Sequence, residues 1–325
     1  MQDEAKRTYF YYALLATTLV PLLALPFLAA RNFPFDQSLL LGLAVFAGGL
    51  GHVASTACVY ADKSVRELMQ PMKLRFYALP IGCVGLTVLA SIWGSKFPVT
   101  QSVYIGVYII HLFWLHFHYQ KQNYGLVAFV AASQGKRIPK VLSNLLLLPA
   151  LAGVLAIMPS LTREAMQDDS LMRSQEAWMY KVALAAYIAG VVLIGRLVWT
   201  HRAEFSRART AIIAAVSCLF FLPAVLLNHS NYAFWSYALA HGFQYLLMVF
   251  TLTKGPKVSF RAVAAFLVSL IGGGYLLKTL GGNQALLICG ILLNWVHFVL
   301  DAKLWRMSEP GPRKLIRGRF AFLFD

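Results

Sequence analysis

Residues 210–228 read Thr210-Ala-Ile-Ile-Ala-Ala-Val-Ser-Cys-Leu-Phe-Phe-Leu-Pro-Ala-Val-Leu-Leu-Asn228, without a single charge. A helix rising ~1.5 Å per residue over this length covers about 30 Å of hydrocarbon. Nine further runs of similar character place predicted spans at 8–30, 38–60, 74–95, 101–120, 140–160, 177–199, 232–252, 259–279 and 283–305, ten in all. The chain of 325 residues is 59% hydrophobic and only 13% charged, with a mean hydropathy of +0.63. Those values exclude an ordinary soluble globule and predict an all-α, polytopic membrane bundle, one transmembrane helical domain over residues 1–325.

The net charge of +16 would point to nucleic acid in a soluble domain. Here the cations fall in short loops between the apolar runs, so their expected partner is membrane lipid and not nucleic acid. Placing the N-terminus inside puts 23 of the 29 Lys and Arg on the cytoplasmic side, which predicts an N-in, C-in topology in a bacterial inner membrane. Pro139, Pro149 and Pro159 punctuate the fifth span, and an acidic outer loop is expected over about 160–176. The first run is too long for a cleavable signal peptide and is expected to remain as a span. Cys58, Cys83, Cys218 and Cys289 all fall in spans without Cys-x-x-Cys spacing and are expected to be packing residues. The tail from Arg313 to Phe324 mixes cations with apolar residues and is expected to lie on the inner membrane face.

Histidines break the apolar pattern. Seven of the eight lie in or at the end of spans: His52, His111, His116, His118, His229, His241 and His297, while His201 sits in a basic loop. Ionisable groups inside a bilayer are costly and face the bundle interior, where they serve a site. Counting from the cytoplasmic helix ends puts His52, His111, His241 and His297 at one depth, roughly 12 to 16 Å in. Helical spacing puts His111, His118 and Gln122 on one face, with His116 pointing elsewhere. His241 shares a face with Gln244 and Tyr245, and Asn294, His297 and Asp301 form a polar stripe on the tenth span. Since His111 and His118 lie ~10 Å apart along the axis, they serve two ions or divide into ligand and supporting group.

Imidazoles with an added carboxylate favour iron, manganese or zinc. The expected metal ligands are therefore His52, His111, His116, His118, His241, His297 and Asp301, with Asp301, Gln244 and Tyr245 as candidate catalytic groups. Asp301 is read either as a ligand or as the carboxylate that orients one.

The order of these patches resembles the membrane-bound β-carotene dioxygenases of the Brp/Blh type. Gly51-His52, His116-Phe117, His241 and His297-Phe-Val-Leu-Asp301 carry the likeness. Position 51 is Gly where the family has Pro, and position 245 is Tyr where the family continues a histidine pair. The resemblance implies a polytopic bundle whose histidines hold non-haem iron and which cleaves a lipophilic polyene with O2.

The first expectation is thus an oxygenase-like oxidoreductase with one or two iron ions, a lipophilic small-molecule substrate taken from the bilayer, and an electron donor if electrons are required. The alternatives are a bis-histidine electron-transfer protein with haem b, a His/Asp transporter or proton relay, and a structural assembly factor.

Overall fold

The computed structural model describes residues 2–33, 38–93, 101–227, 231–254, 259–280 and 284–324. Every regular element among them is helical. In chain order these are α1 (Gln2–Ala30), α2 (Leu39–Val59), α3 (Lys63–Met69), α4 (Leu79–Trp93), α5 (Gln101–Ser133), α6 (Val141–Met166) and α7 (Arg173–Thr200). There follow α8 (Ala208–Leu227), α9 (Asn231–Lys254), α10 (Phe260–Leu267), α11 (Gly274–Leu280), α12 (Gln284–Leu304), α13 (Pro310–Arg319) and α14 (Ala321–Phe324).

Among the described residues five helices, α1, α2, α6, α7 and α8, are long and apolar enough to cross a membrane. Their outward faces carry large apolar side chains such as Leu23, Leu40, Val192 and Leu226, each more than 60% exposed. Such a surface is stable against lipid and not against water. The histidine-bearing helices α5, α9 and α12 are also long, at 33, 24 and 21 residues.

The chain divides into two compact units, residues 1–38 with 108–241 and Phe324, and residues 39–107 with 242–323. In the first unit α6 and α7 form a helical hairpin, on which the second half of α8 packs, with α1 against α8. The expected fifth-span prolines do not break the helix: Pro149 and Pro159 lie inside α6, buried. The acidic loop expected over 160–176 is shorter, because α6 continues to Met166 and α7 starts at Arg173. Arg163 and Glu176 clamp the turn with two contacts of 3.0 and 3.2 Å. Gly190 of α7 lies so close to α6 that an added Cβ would sit 2.7 Å from Pro149 Cδ and 3.1 Å from Leu148 Cβ. A proline ring cannot swing aside, so Gly190→Ala should destabilise the hairpin by about 1–3 kcal/mol. An unchanged thermal midpoint in detergent would show that α6 and α7 can part without penalty.

In the second unit α2 is not a regular α-helix. Phe46–Gly51 forms a π-segment, and two more π-segments occupy Leu74–Ala78 and Val268–Gly273. The first and last pack on one another through small residues. A Cβ on Gly51 would meet Leu270 at 3.0 Å, and one on Gly273 would meet Ala54 at 2.8 Å. Closer still is the crossing of α9, where a Cβ on Gly242 would stand 1.8 Å from the Gly48 carbonyl oxygen. Helices approach this closely only where both carry no side chain at the contact.

The C-terminal tail packs against the protein. Pro312, Ile316, Phe320 and Leu323 are buried, α13 packs on α3, and Arg319 Nη2 meets Asp62 Oδ2 at 2.5 Å. Asp62 also caps α3, accepting from the Val65 amide at 3.1 Å.

Candidate metal centre

The second unit gathers three of the metal ligands expected from sequence, His52, His297 and Asp301. His52 opens the regular turn that follows the Phe46–Gly51 π-segment, and Gly48 and Gly49 border its ring from the preceding turn. A π-segment holds one residue more than the α-helix around it, which turns the next side chain to a different face. His297 and Asp301 are four apart on α12 and point the same way, with Nε2 and Oδ2 separated by 3.7 Å. The His52 and His297 rings meet edge-on with centroids 5.2 Å apart, and both offer a ring nitrogen within 4.8 Å of the other. All three are buried: His52 at 5%, His297 at 1% and Asp301 at 7% exposure.

Thr56, one turn beyond His52, ties the group together. Its Oγ1 lies 2.9 Å from His297 Nδ1 and 2.9 Å from the Tyr245 hydroxyl. Tyr245 also shares a hydrogen bond with Asp301, whose Oδ1 accepts from Trp305 Nε1 at 3.3 Å. Tyr245 packs edge-on against His297 at 4.5 Å and against His52 at 5.8 Å. The result is a closed ring, His297 to Thr56 to Tyr245 to Asp301 and back. With Thr56 on Nδ1, the nitrogen His297 turns toward Asp301 is Nε2. Gln244, the remaining expected catalytic residue, is buried at 3% exposure in the same unit.

The chemistry of the donors, two imidazoles and a carboxylate, suits a metal ion. Ligand atoms ~2.1 Å from one ion stand about 3 to 4.2 Å from each other. The 3.7 Å between His297 and Asp301 falls inside that window, and His52 brings a ring nitrogen within 4.8 Å of a His297 nitrogen. A buried, charged carboxylate is costly unless hydrogen bonds or a cation meet it, and Tyr245 and Trp305 supply hydrogen bonds here.

The first unit holds the other histidines. His118 and His241 stand edge-on at 5.0 Å, with Tyr119 tilted against His241 at 4.2 Å. Gln122, one turn after His118, donates through Nε2 to the His241 carbonyl at 3.1 Å. His116 points elsewhere and uses both ring nitrogens on the protein: Nδ1 lies 2.8 Å from the Leu112 carbonyl and Nε2 lies 2.9 Å from the Tyr237 hydroxyl. Its ring stacks on Phe221 at 5.2 Å. His111 is buried at 8% exposure near the start of this run. His201 is partly exposed, 3.6 Å from Glu204. His229 and its sequon, Asn228-His-Ser230, lie outside the described residues, as does the side chain of Cys289. Cys58 and Cys218 are buried and Cys83 is half-buried.

Sequence reading missed Thr56 and Gly242. Thr56 follows His52 by four residues on an apolar helix, the spacing at which a hydroxyl shares its face. Gly242 adjoins His241, but a glycine inside a span has no sequence mark that tells close packing from a neutral position. No protein family, curated protein or solved structure matches this chain.

Proposed function

We propose that this protein is a membrane-embedded, metal-dependent oxidoreductase of the oxygenase type, holding non-haem iron through His52, His297 and Asp301. The observation that carries the reading is the burial of two imidazoles and one carboxylate together, linked by Thr56 and Tyr245. Two histidines and a carboxylate leave coordination positions open, the arrangement suited to iron that activates O2. The likeness of the Gly51-His52 and His297-x-x-x-Asp301 patches to the Brp/Blh-type dioxygenases supports the same assignment. In this proposal the chain crosses the membrane ten times with both ends inside, and a lipophilic substrate arrives from the bilayer.

Bound iron would supply O2 activation and redox chemistry. The chain's own groups do the rest. Thr56 fixes the His297 ring so that Nε2 is the ligand nitrogen, Tyr245 and Trp305 hold the Asp301 oxygens in place, and the apolar surroundings keep water away. Electrons beyond those the substrate supplies would come from a partner protein.

The direct test is elemental analysis and an optical spectrum of the detergent-purified chain. Iron without a Soret band is expected; a Soret band would replace this reading with a bis-histidine haem protein, and a protein that takes up no metal on reconstitution would end it. One equivalent is expected, matching a single ion at His52, His297 and Asp301. A second equivalent would be assigned to His118 and His241. Thr56→Val, which removes the hydroxyl and keeps the shape, should weaken iron affinity by about 10- to 100-fold. Unchanged affinity would remove Thr56 from the set of supporting groups.

A further inference from the structure

A cleft of about 470 Å³ opens in the second unit where α2, α9 and α10 reach their polar ends. Lys63, Lys254, Arg261 and Arg319 line it, and Asp62 is the acid among them. Asp62 is taken by Arg319, and these two side chains are only 11% and 16% exposed. Lys63 reaches Glu67 at 3.9 Å on its outer side. Lys254 and Arg261 have no ion pair with an acid among the described residues, so the cleft presents uncompensated positive charge. Ser259, the N-cap of α10, also faces it and makes no side-chain capping bond among the described residues, and the positive end of a helix favours an anion.

Charge of this kind, concave and built on helix ends, selects a compact anion of more than one negative charge. The volume suits a head group and not an acyl chain. Immediately beyond the cleft the same helices become apolar, and Cys58 at its floor lies ~9 Å along α2 from His52. We infer that this cleft is a binding site for a phosphate group, carried by an amphiphile whose chains lie along the helices or presented as free phosphate. The inference stands on the cleft alone and does not depend on the metal assignment.

Calorimetric titration of the full chain in detergent tests it with three probes: dihexanoyl phosphatidic acid, dihexanoylglycerol and inorganic phosphate. Saturable binding of phosphatidic acid is expected, with no binding of the phosphate-free glyceride. The double variant Lys254→Gln/Arg261→Gln should bind at least about tenfold more weakly. Lys73→Gln/Lys314→Gln removes the same charge outside the cleft and should stay within about twofold of wild type on the same scale. Inorganic phosphate binding as tightly as phosphatidic acid identifies a free-phosphate site, and failure of phosphate to compete identifies a lipid head group; either upholds the inference. Equal weakening in both double variants, or no saturable binding of any phosphate probe, overturns it.

Discussion

Gly242→Ala should leave little or no folded protein. The new methyl would stand 1.8 Å from the Gly48 oxygen, 2.7 Å from its carbonyl carbon and 2.9 Å from its Cα. All three are backbone atoms, so no rotamer change relieves the clash; α9 must retreat from the π-segment of α2 by more than an ångström. That retreat would also draw Tyr245 from Thr56, now 2.9 Å away, and open the ring of contacts around His297. Overpacking usually costs about 1–3 kcal/mol, and backbone against backbone belongs at or above the upper end. Size-exclusion profile and thermal midpoint in detergent are the readouts. The control is Gly125→Ala on α5, where an added Cβ meets nothing within 4 Å and helix propensity gains up to ~1 kcal/mol. Equal behaviour of the two variants would show that α9 and α2 do not meet at this point.

The second large effect concerns His297. Its replacement by Ala should reduce bound iron by about tenfold or more, the scale set by losing one of three protein ligands. Because His297 is 1% exposed, its removal also leaves a cavity, so His297→Gln, which keeps most of the volume, is measured beside it. His116→Ala gives the opposite pattern: it strips the Leu112 and Tyr237 partners of a buried group and should lower the thermal midpoint while iron stays bound. His201→Ala, on a loop beside Glu204, should change neither. Asp301→Asn separates two roles, since loss of metal marks a ligand and loss of turnover with metal retained marks an orienting carboxylate. Equal iron in His297→Gln, His297→Ala and wild type would sink the assignment.

The stripe His297–Asp301 was legible in sequence because α12 is regular there, and four residues on an α-helix return to the same face. The same rule separated His116 from His118 on α5: one meets Tyr237, the other His241. Where the backbone departs from 3.6 residues per turn, the rule loses its hold. The Gly48, Gly49 and Gly51 cluster beside His52 marks where the departure occurs, but periodicity alone does not reveal that the turn is a π-segment. The number of spans was read from length and apolarity, which register α1, α2, α6, α7 and α8 well. α5 and α12 carry His, Gln, Asn and Asp among their apolar residues, so their character comes from their partners and not from composition. The contacts of the tail were not legible for a related reason: Ile316 and Phe320 stand in a basic stretch, and only the fold shows them buried, with Arg319 on Asp62.

The π-segment of α2 also makes the chain's length, and not only its chemistry, a determinant of the site. Removing one residue between Phe46 and Gly51, for instance Gly49, would let the backbone relax into an unbroken α-helix with no bond left over. Such a deletion keeps Leu39–Val45 facing as it does now relative to His52, because the π-turn already absorbs the extra residue; tightening all six residues into α-helix would instead turn Leu39–Val45 by about 100°. The six residues thus act as a phase marker that indexes one end of the helix to the other: what fixes the facing of His52 is the width of this turn.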